Sequence, residues 1–240
     1  MERVLPPGYF KKEDASRVYD DIFGKAFHYF NVSQMSGEVI EFGSYKGYSS
    51  RKLAEYSKKY GIDTKITLFD SFEGMPEIKS DVDKKSYQVA AVDDWKKGCF
   101  SVPKGIEKVI KADISEIIGE ERINIVKGYY QDTLDTVKFS PQSIILVNID
   151  CDLYESITLV LKKLIVETAF QDGAIILFDD YNFNRANPDM GVRKAIRDTF
   201  GVSERYVLST FATYGWHGRA FFIHDREFKV EMRFGEEEKK

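Results

Sequence analysis

Two apolar runs of this chain end in acids. "ILVNIDCDLYES" (145–156) carries Asp150-Cys151-Asp152, and "AIILFDDYNF" (174–183) carries Asp179-Asp180. If the first run stays extended, Asp150 and Asp152 fall on one side and Cys151 on the other. Four carboxylates brought to one edge repel one another and raise one another's pKa values, and a bound divalent cation relieves that repulsion. Hard oxygen ligands with open positions suit magnesium, manganese or calcium. Any one of these acids could instead cap the helix that follows it, and Asp152 before "LYESITLVL" is placed to do so.

A second constellation lies in the first half. In "VIEFGSYKGYSS" a buried strand runs into Glu41, then Gly43 and Gly47, then Ser49 and Ser50, and a helix follows. Glycines at a strand-to-helix turn let the backbone approach a ligand at the sheet edge. The spacing is neither that of a dinucleotide fingerprint nor that of a P-loop. The next strand ends in Asp70 of "TLFDSFEGMP", about 20 residues further on, where an acid can accept both hydroxyls of a ribose. Together these favour an adenosine-containing cofactor without a pyrophosphate, and S-adenosylmethionine fits. Glu41 would hold its amino group. A metal at the acid cluster would lower the pKa of an acceptor hydroxyl, a free Asp would take the proton, and the hydroxyl would attack the methyl group in line.

Positioning these groups takes a parallel sheet covered by helices. Short β-rich runs at 38–44, 65–71, 123–128, 143–150 and 173–179 alternate with helical patterns. Two more, at 205–210 and 220–225, are too close for a helical crossover and predict an antiparallel edge hairpin. Val18, Ile22, Ala26 and Phe30 mark a helix before the first strand, and "ESITLVLKKLIVETAF" and "GVRKAIRDTFG" mark two later ones. At 240 residues, one domain (1–240) is expected. Within it, 1–36 forms an N-terminal helical cap, 74–102 a lid-like insertion without a clean period, and 236–240 a frayed tail. The net charge of −4 and the absence of a dense basic run argue against nucleic acid as the partner. The chain shows no signal-peptide core and no run approaching ~18 apolar residues, so membrane insertion is not expected and the cytoplasm is the expected address. Cys99 and Cys151 are far apart in sequence and suggest neither a disulfide framework nor a cysteine zinc site.

The ordered set "VIEFGSYKGYSS", "FDSFEGMP", "VKGYYQDTL", "NIDCDLYES" and "ILFDDY" resembles the macrocin-type family of S-adenosylmethionine-dependent O-methyltransferases over roughly residues 37–200. The resemblance implies a Rossmann-like, seven-stranded class I methyltransferase sheet and methylation of a sugar hydroxyl on a glycosylated natural product or glycan. It implies a magnesium ion on Asp152, Asp179 and Asp180 with Asp150 as general base, the roles of Asp150 and Asp152 being exchangeable. Cofactor contacts carry over to Glu41, Gly43, Ser44, Tyr48 and Ser49, to Asp70, Ser71 and Phe72, and to Trp95 and Ser101 of "DDWKKGCFS", near the adenine. Relatives of this kind often self-associate, so a homo-oligomer is expected. The C-terminal "TYGWHGRAFFIHD" departs from the family's closing strand.

Of the three histidines, His28 and His224 read as packing or surface. His217 reaches the active edge only if its hairpin turn folds back. Tyr154 and Tyr181 follow the acid clusters directly, and Tyr154 reads as packing. The principal rival is a magnesium-dependent phosphatase or mutase built on Asp-x-Asp and Asp-Asp. Leu153 and Tyr154 do not fit its motif, and it leaves the glycine turn and Asp70 unexplained. A metal-dependent glycosyltransferase and a non-enzymatic binder whose acids only cap helices are weaker rivals.

Overall fold

A computed structural model describes residues 12–91 and 95–228. The first part of the expected cap, positions 92–94 of the insertion and the expected tail at 236–240 lie outside the described residues. Each continuous apolar run forms a strand: β1 (Glu38–Phe42), β2 (Ile66–Asp70), β3 (Ile123–Lys127), β4 (Ile144–Ile149) and β5 (Phe170–Phe178). These five are parallel. With β6 (Tyr206–Tyr214) and β7 (Gly218–Asp225) they make a seven-stranded sheet in the order β3-β2-β1-β4-β5-β7-β6, with β7 antiparallel to both neighbours. The strand order reverses between β1 and β4, and a ligand crevice opens beyond the C-terminal ends of strands at such a point.

The helices are α1 (Lys12–Val32), α2 (Tyr48–Tyr60), α3 (Asp81–Lys84), α4 (Tyr87–Ala91), α5 (Ile106–Ile118), α6 (Tyr130–Thr133), α7 (Tyr154–Val166) and α8 (Gly191–Thr199). Ile22, Phe23 and Phe27 of α1, Leu53 of α2 and Ile110 and Ile114 of α5 pack on one face of the sheet. Ile157, Leu161 and Leu164 of α7 and Val192 of α8 pack on the other. Burial of each such side chain contributes about 1.5–3 kcal/mol. All six residues of β4 are buried, as a strand covered on both faces requires. No described helix is long and apolar enough to cross a membrane.

Beyond shifts of a residue or two at other strand ends, β5 and the hairpin differ from the sequence reading. β5 begins at Phe170 rather than at 173, because fully buried Phe170 pairs with Ile144 before a register shift. The hairpin strands also run further than expected. β6 continues through a register shift near Phe211 to Tyr214 and β7 starts at Gly218, so the turn shrinks to Gly215–His217.

The insertion contains α3 and α4 and is tied down at both ends. Met75 N–H donates to the Cys99 carbonyl and Gly98 N–H to that of Met75, at 2.7 and 2.9 Å. Asp83 is 2% exposed and caps α7 from outside: its carboxylate accepts Tyr154 N–H at 2.7 Å and Glu155 N–H at 3.1 Å. The residue before α7, Leu153, has no side chain able to do this. Asp83→Ala orphans two amides, and loss of a cap of this kind costs about 1–2 kcal/mol. Thermal denaturation should show a midpoint lowered by roughly 2–8 °C.

Candidate active site

The acid clusters stand at the C-terminal rim of adjacent strands. Asp150 N–H donates to the Phe42 carbonyl at 2.8 Å and Asp179 N–H to that of Ile149 at 3.0 Å, so the ends of β1, β4 and β5 are pinned in sequence. Gly43 (φ +91°) closes this junction. A Cβ built there falls 2.6 Å from the Asp150 carbonyl carbon and closer still to its oxygen. Glycine is required at this position because two strand ends meet.

Asp150, Asp152 and Asp180 each offer a carboxylate oxygen within 4.8 Å of the others. Asp152 does not arrive by simple alternation. It adopts φ +59°, turning the chain sharply before α7. Asp83 does the capping work, so Asp152 is not needed as a helix cap. Asp180 is buried and its Oδ2 has no hydrogen-bond partner among the described residues. Burial and then the neighbouring carboxylates push Asp150 and Asp180 well above the usual carboxylate range. Burial pushes Asp152 up to about 7, against a hydrogen bond shared with Asp180. An orphaned oxygen among three convergent carboxylates is a donor set that fits a hard divalent cation.

These shifts have a stability consequence. A folded-state pKa near 7 against about 3.9 unfolded means that the native state holds a proton which the unfolded chain has lost. The resulting stability is fully present below about pH 4 and is lost as pH rises through about 7. In chelator, the melting temperature should therefore fall between pH 5 and pH 8, and Asp152→Asn should flatten the slope. Each retained pKa unit corresponds to about 1.4 kcal/mol, or roughly 3–6 °C.

Asp179 points elsewhere. Its Oδ1 accepts the Tyr19 hydroxyl of α1 at 3.4 Å and lies 3.5 Å from His217 Nδ1. Burial raises its pKa, opposed by His217 and Tyr19. Tyr214 is also buried here, its hydroxyl has no partner among the described residues, and burial and then Asp179 raise its pKa.

On the other side of Gly43 the glycine turn meets the end of β2. Asp70 accepts Tyr45 N–H at 2.7 Å and Phe72 N–H at 2.6 Å, one on each oxygen. A carboxylate has about four acceptor sites, so capacity for a ribose diol remains. Glu41 is fully buried; it accepts Asn148 Nδ2 at 2.9 Å and also the Ser50 hydroxyl. Burial raises its pKa and these bonds oppose the rise. Expected to hold an amino group, Glu41 here braces β1 against α2 and β4, with both oxygens engaged. Ser44 and Ser49 are buried beside it, and Tyr48 tilts against Tyr19 at 6.2 Å. Ser71 Oγ is used within its own turn, donating to the Gly74 carbonyl and accepting Glu73 N–H. Phe72 is buried at φ +57°. Trp95 stands edge-on to Phe100, and Phe100 edge-on to Tyr45, so the insertion meets the glycine turn through aromatic rings. Ser101 is exposed at the end of that segment.

Comparison with known proteins decides the family. The sequence profile of the macrocin O-methyltransferase family, TylF, matches residues 20–204. The chain belongs to this family. Among curated proteins it is similar to an 8-demethyl-8-(2,3-dimethoxy-alpha-L-rhamnosyl)-tetracenomycin-C 4'-O-methyltransferase of Streptomyces olivaceus, 27% identical over 174 residues. The match takes in 70% of this chain and spans about 60% of the length of that relative. Among solved structures, the O-methyltransferase NovP and the calicheamicin methyltransferase CalS11 each superpose with a TM-score of 0.65. Each match covers 88% of this chain and 80% of the other, at 18% and 22% identity respectively, and shows the shared fold.

Within this family fold, the chain brings the glycine turn, Asp70 and the four aspartates to one rim. The expected ligand set of Asp152, Asp179 and Asp180 is not the trio gathered here, because successive residues of a strand end face opposite ways and Asp179 turns towards α1. Tyr154 packs as expected, its hydroxyl donating to Asp198 at 2.9 Å. Tyr181 lies beneath the Arg193 and Arg219 guanidiniums. His28 sits against Tyr60, and His224 bonds Ser209 on the hairpin. Tyr19, Tyr214, Asn148 and Asp83 were not singled out from sequence. Tyr19 follows Val18 on the apolar side of α1, but the spacing alone does not say which turn of the helix reaches the rim.

Proposed function

We propose that this chain transfers a methyl group from S-adenosylmethionine to a sugar hydroxyl of a glycosylated natural product, assisted by a divalent cation. The observation that carries the reading is the carboxylate triangle of Asp150, Asp152 and Asp180 beside the Gly43 turn. When bound, the donor supplies an electrophilic methyl group, and magnesium supplies positive charge that makes an acceptor hydroxyl more acidic. Asp150, Asp152 and Asp180 hold the cation. Asp70 accepts the ribose hydroxyls of the donor with the lone pairs that the backbone leaves open. Asp179, outside the triangle, is the carboxylate left to take the acceptor's proton, in place of Asp150. Tyr19 of α1 orients it, its hydroxyl donating to Asp179 Oδ1.

The rhamnosyl acceptor in the name of the Streptomyces olivaceus relative supports a deoxysugar on a polyketide as the first acceptor class to try. The test is methyl transfer from radiolabelled S-adenosylmethionine to a panel of rhamnosylated polyketides and nucleotide-linked sugars, with and without chelator. Transfer that stops in chelator and returns with magnesium supports the reading. Hydrolysis of para-nitrophenyl phosphate dependent on Asp150, with no affinity for S-adenosylhomocysteine, would favour the phosphatase instead.

A further inference from the structure

The β6–β7 turn lies beyond the residues that the family profile matches, 20–204, yet it is fastened to the Asp179–Asp180 corner. His217 Nδ1 lies 2.8 Å from the main-chain carbonyl of Asp179. In the opposite sense, Asn182 N–H donates to the His217 carbonyl at 2.9 Å, and Asn182 Nδ2 donates to that of Trp216 at 2.7 Å. The Trp216 ring stands edge-on to Phe183 at 5.3 Å. Beyond Asp179 the chain loses its ladder bonds to β4, so the position of the Asp180 carboxylate depends on what holds this corner. A carbonyl can only accept, so Nδ1 carries a hydrogen and donates it to this corner. The other nitrogen faces back into the turn, where a Cβ on Gly215 would come within 2.9 Å of it. His217 thus points its donor at the acid corner and its second nitrogen away from it.

We propose that His217 is a positioning residue, which fixes the Asp179–Asp180 peptide and so holds Asp180 in the carboxylate triangle. The proposal rests on the reading of that triangle as a divalent-cation site. Groups that orient metal ligands from behind typically change affinity by about 10–100-fold when removed. The contact acts on the main chain, so what matters is a donor at the Nδ1 position and not the charge or bulk of the ring.

The test uses the full chain without donor or acceptor, with manganese binding followed from the free-ion electron paramagnetic resonance signal. His217→Asn places an amide nitrogen where Nδ1 stands and should bind within about threefold of wild type. His217→Gln displaces that donor and should weaken binding by about 10–100-fold, as should His217→Ala. Nitrogen NMR of the metal-free wild type should show the hydrogen on Nδ1. Equal affinity in wild type, Asn and Gln variants would overturn the proposal, as would Asn and Gln variants weakened alike. Wild-type protein that takes up no manganese would overturn the cation reading itself, a result separable from the first two.

Discussion

Asp180→Asn should abolish divalent-cation binding and lower methyl transfer by at least about 10³-fold. The carboxylate is buried, one of its oxygens has no partner among the described residues, and it sits within 4.8 Å of the oxygens of Asp150 and Asp152. Asparagine keeps the shape but removes the charge, and a site of three anionic ligands becomes one of two. A cation that stabilises developing alkoxide charge contributes several kcal/mol, and each 1.36 kcal/mol is tenfold in rate. Two companion variants separate the roles. Asp150→Asn should lose manganese affinity together with turnover, because Asp150 belongs to the triangle. Asp179→Asn should keep affinity within a few-fold and lose turnover, because it faces Tyr19 and His217. The reverse pattern would restore Asp150 to the role of base. The Asp180 variant should also be more stable than wild type in chelator at pH 8, since removing one of four crowded carboxylates relieves repulsion that burial enforces.

Gly43→Ala should destabilise the fold by about 3 kcal/mol or more and remove donor binding. The added methyl group would collide with the Asp150 main chain, so β1 and β4 must part. That separation strains the bonds from Asp150 N–H to Phe42 and from Gly43 N–H to Phe69, at 2.8 and 2.9 Å. A midpoint lowered by roughly 6–12 °C follows for a chain of this size. Gly105 supplies the control. It has the same φ of +91°, but no atom of the described residues lies within 4 Å of its added Cβ. Gly105→Ala should therefore cost only the left-handed backbone, about 1 kcal/mol, and the difference between the two variants measures the collision.

The parts of this molecule that were legible in the sequence share a physical cause. Strands buried on both faces must be continuously apolar, and so "IILVNI" announced β4 and the acids that end it. Strand ends at a switch point converge on one rim, which brought Glu41, Gly43, Asp70 and the four aspartates together without knowledge of their contacts. What stayed hidden depends on geometry that local sequence does not encode. Asp152 was expected from alternation on an extended strand and instead turns through a positive φ. Asp83 caps α7 from 71 residues away, and nothing near "DVDK" points to that partner. His217 was expected at the active edge only if its hairpin turn folded back, and the hairpin strands were read shorter than they are. Their extension to Tyr214 and Gly218 is what carries the turn back to the acid corner.

One diffraction experiment bears on the whole account: crystals grown with S-adenosylhomocysteine and manganese, measured at the manganese absorption edge. The account requires a single strong anomalous peak at bonding distance from Asp150, Asp152 and Asp180, with the donor's ribose on Asp70 and its sulfur facing the same rim. A peak bounded by other residues, or a nucleoside lodged away from the Gly43 turn, would contradict it.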